Sequence, residues 1–140
     1  MTQAPKLTFF FIVEPPRYQL MACFLAASIR ENFGDTVRMV GYCPKARWSE
    51  LSAEVLVVLE RLRCEVRVFD TEGRFDPPYP HGNKMLATLE RRDTEYSCFL
   101  DSDILFLRPN TVVQRSERIT PPSVNIPPTR WYSEPGPTLP

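Results

Sequence analysis

Leu7-Thr8-Phe9-Phe10-Phe11-Ile12-Val13 runs directly into Glu14-Pro15-Pro16. The run is apolar and β-prone without a polar alternation. Such a strand suits a sheet covered on both faces, as in parallel α/β architecture. The proline pair ends it, because proline lacks the amide that a ladder needs. Tyr18 to Phe33 then follows helical spacing, with Leu20, Met21, Phe24, Leu25, Ile29 and Phe33 assigned to one side. Gly34 sits where a helix C-terminus favours glycine.

Outward from there the pattern repeats. Val37 to Cys43 reads as a second strand closed by Pro44. Ser49 reads as the N-cap of a second helix whose stripe is Leu51, Val55, Val58, Leu59 and Leu62. Glu65 to Asp70 reads as a third strand, and Thr71 to Pro80, with one glycine and three prolines, as a loop. A third helix is expected over about 82–92, with Met85, Leu86 and Leu89 inward. Tyr96 to Asp101 is a fourth strand and Ile104 to Leu107 a short fifth. Strands alternating with helices imply right-handed crossovers. The expected fold class is α/β, a three-layer Rossmann-like domain with a mainly parallel sheet in spatial order 3-2-1-4. Residues 1–109 form this domain. Residues 110–140 hold seven of the 15 prolines, show no periodicity, and are expected to be an irregular tail.

Composition narrows the function classes. Seventeen Lys+Arg balance seventeen Asp+Glu, so no net field draws the chain to nucleic acid or to an anionic membrane. One histidine leaves almost no material for a Ser-His-Asp triad or a multi-histidine metal site. Cys23, Cys43, Cys64 and Cys98 form no C-x-x-C pair, and each lies in or beside an apolar stretch. They read as four buried thiols of a reducing compartment, with a disulfide pair as the alternative. No stretch approaches the length of a membrane span, and the first apolar run is short for a secretory signal. The expectation is a cytoplasmic protein without a membrane span.

Ligands of open α/β sheets sit beyond the carboxyl ends of the strands, which directs attention to three stretches. The first is Phe99-Leu100-Asp101-Ser102-Asp103-Ile104-Leu105, an apolar strand leading into two carboxylates one residue apart. In extended backbone, positions i and i+2 face the same way, so Asp101 and Asp103 can converge on one divalent cation. Mg²⁺ uses one or two carboxylates and completes its shell with water and substrate phosphate. The alternative is an Asx turn that caps the strand. The second is Tyr79-Pro80-His81-Gly82-Asn83-Lys84-Met85 at a loop-to-helix junction, where Asn83 and Lys84 suit a phosphate; alternatively His81 or Asn83 caps the helix and Lys84 is solvated. The third is Glu14-Pro15-Pro16-Arg17-Tyr18, where Glu14 can accept from a base or ribose and Tyr18 can stack, or the segment is a polar turn. Arg47, Trp48, Arg91 and Arg92 read as ordinary surface.

These residues carry a resemblance. Residues 7–109 resemble the nucleotide-binding half of a GT-A glycosyltransferase of the family-8-like type. The resemblance rests on the opening strand with Val13-Glu14, on Gly82-Asn83-Lys84-Met85-Leu86-Ala87, and on Phe99-Leu100-Asp101-Ser102-Asp103-Ile104-Leu105-Phe106. It implies a nucleotide-diphosphate sugar as partner, a UDP-sugar favoured, with Mn²⁺ or Mg²⁺ bridging Asp101 and Asp103 to the diphosphate. It implies that Val13, Glu14, Tyr18, Asn83, Lys84, Asp101 and Ser102 line the nucleotide-sugar site, and that the metal acts as Lewis acid on the leaving UDP. It carries over no catalytic residue. GT-A enzymes continue after the D-x-D into a half that binds the acceptor, whereas here 37 residues follow Asp103 and none is histidine. The expectation is therefore a truncated donor-binding form with little or no transfer. Two other readings stand beside it. One is a non-catalytic interaction domain. The other is a HAD-like phosphatase, whose Asp-x-Asp resembles Asp101-Ser102-Asp103 but usually lies on the first strand.

Overall fold

The computed structural model describes residues 4–108. Its elements are β1 (Leu7–Ile12), α1 (Arg17–Phe33), β2 (Arg38–Pro44), α2 (Ala53–Arg61), β3 (Cys64–Phe69), α3 (Asn83–Leu89) and β4 (Tyr96–Phe99). Short 3-10 turns at Lys45–Glu50 and Pro80–Gly82 precede α2 and α3. The four strands form one sheet in the order β3-β2-β1-β4, with every pair parallel. Fold class, strand order and the central place of Leu7–Val13 agree with the sequence reading. The irregular tail expected over 110–140 lies outside the described residues.

β1 shows why an unbroken apolar run was needed. Phe9, Phe11 and Val13 pack on one side with Ala22, Leu25, Ala26 and Ile29 of α1 and with Val55 and Leu59 of α2. Phe10 and Ile12 pack on the other with Val40, Tyr42, Phe69 and Ala87. Chain direction across the sheet accounts for the two layers. From β1 to β3 each crossover steps one way, and the crossover from β3 to β4 steps back past β1. Right-handedness then sends α3 to the opposite face from α1 and α2.

Several assignments of side chains to faces change. On α1 the buried arc is Ala22, Leu25, Ala26, Ser28, Ile29 and Phe33, while Leu20 and Phe24 are exposed. The small residues, rather than the largest ones, mark the side that lies flat on the sheet. Gly34, at φ 56°, ends the helix and donates its N–H to the Arg30 carbonyl at 2.9 Å. The second helix starts at Ala53, not after Ser49, because Lys45–Glu50 first makes a 3-10 turn; Val58 is exposed. α3 stops at Leu89 and seats Asn83 and Ala87, leaving Met85 and Leu89 outside. On β3, Val68 is exposed and Phe69 is buried.

Ile104–Leu107 is not a strand. The segment leaves the sheet and lies over α1. Phe106 donates its N–H to Ser28 Oγ at 3.2 Å and accepts from Asn32 Nδ2 at 3.0 Å. Its ring meets Phe33 edge-on, with centroids 4.9 Å apart. Two polar residues of α1 thus satisfy main chain that a fifth strand would have placed in the ladder. The four cysteines are free thiols, but only Cys43 and Cys64 are buried. Cys23 is half-buried, and Cys98 is exposed on β4, which ends the sheet among the described residues.

Candidate donor site at the carboxyl edge

The strand order reverses between β1 and β4, and their carboxyl ends open side by side. In open α/β sheets this is where ligands collect. The β1–β4 register pairs Phe10 with Phe99. The Leu100 N–H then reaches the Phe10 carbonyl at 2.9 Å, carrying the ladder one residue beyond β4. After that the chain turns. The Ile104 N–H closes on the Asp101 carbonyl at 3.3 Å, so Asp101–Ile104 is a turn and not extended backbone. The i, i+2 argument for convergence of Asp101 and Asp103 therefore does not apply. Ser102, buried at the turn's corner, donates from Oγ to the Ile12 carbonyl at 2.5 Å. With Ser102 pinned inward, both carboxylates remain exposed.

Lys84, in the first turn of α3, forms an ion pair with Asp101 Oδ1. The side chains are 44% and 48% exposed, so the pair lies at the mouth of the cleft. The Asp101 hydrogen bond raises the Lys84 pKa above its ordinary value, and the charges of Asp101, Asp103 and Tyr18 act in the same direction. Lys84 Nζ also lies 6.0 Å from the Phe99 ring centroid. The fold thus brings the Lys84 ammonium of α3 onto Asp101 of the D-x-D turn.

Other expected site residues stand differently. The Val13 side chain is fully buried, and that of Ser102 is committed to β1. Asn83 is buried at the start of α3. Glu14 is half-buried on the β2 side, where its charge reaches the Cys43 thiol. Burial first, and then Glu14, push that thiol up to about 11.

Two arginines read as ordinary surface prove structural. Arg47 donates to the Pro15 carbonyl at 3.1 Å and pairs with Glu50 at 3.0 Å. It braces the turn that follows β1, where Pro16 supplies no amide of its own. Arg92 lies with its guanidinium 3.8 Å from the Phe10 ring centroid and donates to the Ala87 and Thr88 carbonyls at 2.9 and 3.1 Å. It closes the C-terminus of α3 and covers the sheet behind it. A basic residue just past a helix end was the available signal. Gly82 lies beneath the Phe75 ring, so a Cβ there would clash with it. Tyr79 packs against that ring and against His81, each at 5.8 Å between centroids. This places the 71–80 loop over the start of α3.

Among the described residues no three of His, Cys, Asp and Glu cluster to hold a metal ion. Asp101 and Asp103 fit the sparse protein contribution that Mg²⁺ and Mn²⁺ accept when phosphate and water complete the shell. Among these residues no helix is long and apolar enough to cross a membrane.

The model of the Rhodobacterales glycosyltransferase domain matches residues 9–138 of the chain. The match spans the sheet except the first two residues of β1, the Lys84–Asp101 pair, and most of the segment that composition set apart as a tail. No curated protein matches the chain.

Proposed function

The chain belongs to the Rhodobacterales glycosyltransferase domain family, and from that premise we propose that it binds a nucleotide-diphosphate sugar, a UDP-sugar in the first instance, at the carboxyl edge between β1 and β4. The observation that carries this reading is the pairing of Lys84 with Asp101 at the point where the strand order reverses. A cation and two carboxylates there are the complement of a metal–diphosphate. Tyr18, 44% exposed on the first turn of α1, offers a face for the base, and Glu14 an acceptor for base or ribose. Val13 and Ser102 contribute through main chain, since their side chains are directed inward. Asp101 and Asp103 would hold Mn²⁺ or Mg²⁺. When bound, that ion supplies positive charge to the departing nucleoside diphosphate.

The protein's own part is positioning. Ser102 fixes the turn to β1, the buried Asn83 and Ala87 fix α3, and Lys84 extends from α3 to meet a phosphate. Two carboxylates and a diphosphate repel one another without a cation, most strongly at a partly desolvated edge. UDP binding is therefore expected to need a divalent ion. Calorimetric titration of UDP into wild type and Asp103→Asn, each with Mn²⁺ and with EDTA, tests this. Wild type with Mn²⁺ should bind most tightly. Equal binding in all four, with the fold intact, would remove the D-x-D from the site.

A further inference from the structure

We infer that Lys84 is an internal stand-in for the metal: it neutralises Asp101 until a divalent cation takes that carboxylate, and is then passed to the diphosphate. The inference rests on the donor-site reading above and adds an order of events to it. Its basis is that one oxygen, Asp101 Oδ1, receives the Lys84 ammonium. An ammonium and a divalent ion on one carboxylate compete for its lone pairs and repel each other as like charges. A metal that takes Asp101 therefore weakens its pairing with Lys84.

The displaced group remains in the site. Lys84 reaches from α3 to Asp101 in the D-x-D turn, so its ammonium stays at the carboxyl edge beside that turn. The Phe99 ring lies near it. Nothing in the main chain has to move, because α3 is seated through Asn83 and Ala87 and a lysine stem has four rotatable carbons. Metal alone breaks an ion pair and leaves an ammonium without its carboxylate. Metal arriving with a diphosphate breaks the same pair and gives that ammonium a new anion. The two ligands therefore favour each other, and by linkage each raises the other's affinity by the same factor.

The test separates the two ligands. Mn²⁺ alone is titrated into wild type, Lys84→Met and Lys84→Gln, with free Mn²⁺ followed by electron paramagnetic resonance. UDP is then titrated into each by calorimetry in excess Mn²⁺. Loss of an exposed ion pair should tighten Mn²⁺ alone about two- to fivefold in both variants. Loss of a charged donor to phosphate should weaken UDP by about tenfold. Opposite signs are the signature, since a merely structural lysine would weaken both ligands together. Agreement between Met and Gln, with unchanged circular dichroism, separates the result from misfolding. Mn²⁺ affinity that is equal in wild type and variants, weaker in the variants, or absent from both overturns the inference and leaves metal-dependent UDP binding standing. If Asp101→Asn and Asp103→Asn bind Mn²⁺ as wild type does, the donor-site reading falls, and the stand-in falls with it.

Discussion

Ser102 turns its hydroxyl away from the cleft that its two neighbours face. Its bond to the Ile12 carbonyl is the side-chain link between the D-x-D turn and the central strand. Both atoms are buried, so Ser102→Ala leaves a carbonyl short of its donor at a cost of about 1–3 kcal/mol. Urea unfolding should show that loss, and UDP titration with Mn²⁺ should show weaker binding as the turn loosens. An unchanged midpoint would mean that water replaces the hydroxyl and the turn is held elsewhere. The sequence made the acids at 101 and 103 visible, because charge straight after an apolar strand is uncommon. It could not make the direction of Ser102 visible, since that depends on the β1–β4 register, a contact across 90 residues. The same limit hid Arg47 and Arg92. Their partners are a proline carbonyl, an aromatic face and a helix end, which become neighbours only when the sheet closes.

Elements were more legible than residues. All four strands lie within two residues of where composition put them, because strand-length apolar runs bounded by proline and glycine admit few other readings. Helix faces were harder. An apolar side chain on a two-layered face does not have to be buried, and the alanines of α1 and α3 defined the seats that larger residues seemed to claim. Close packing at the carboxyl edge gives a test at this scale. Gly41 of β2 faces Val13 so tightly that an added Cβ would stand 2.5 Å from Val13 Cγ2. Gly41→Ala should therefore cost about 1–3 kcal/mol through overpacking. Val13→Ala removes the atom in the way. The double variant should be more stable than the sum of the single losses, with a coupling of about 0.5–3 kcal/mol. Simple additivity in urea melts would show that β2 relaxes without help from Val13.

At the scale of the molecule, one sheet separates two apolar layers, and ties at its rims hold the layers in place. Arg30 links the end of α1 to the Leu62 carbonyl beyond α2 at 2.9 Å, and Thr8 meets Thr94 at 2.6 Å ahead of β4. Two thiols lie within this frame, and they give stability a pH dependence. Cys64 is buried between β2, β3 and the α1–α2 layer, and burial pushes its thiol up to about 12. Burial likewise takes Cys43, at the end of β2, to about 11. In the unfolded chain a thiol ionises near 8.5. Below that pH both states hold the protons and the thiols add no slope. Above it the unfolded chain releases protons that the folded chain retains, so stability falls as pH rises, by up to about 1.4 kcal/mol per pH unit for each thiol. The fall continues until the folded thiols ionise, near 11 for Cys43 and 12 for Cys64. Urea midpoints taken from pH 7 to 10 should be level at first and then descend. Cys64→Ala and Cys43→Ala should each be less stable at pH 7 because they leave small cavities, yet each should flatten the descent. The slope, not the starting value, is the readout. If the descent in the doubly substituted chain is as steep as in wild type, the alkaline loss comes from other groups and the two thiols ionise as readily folded as unfolded.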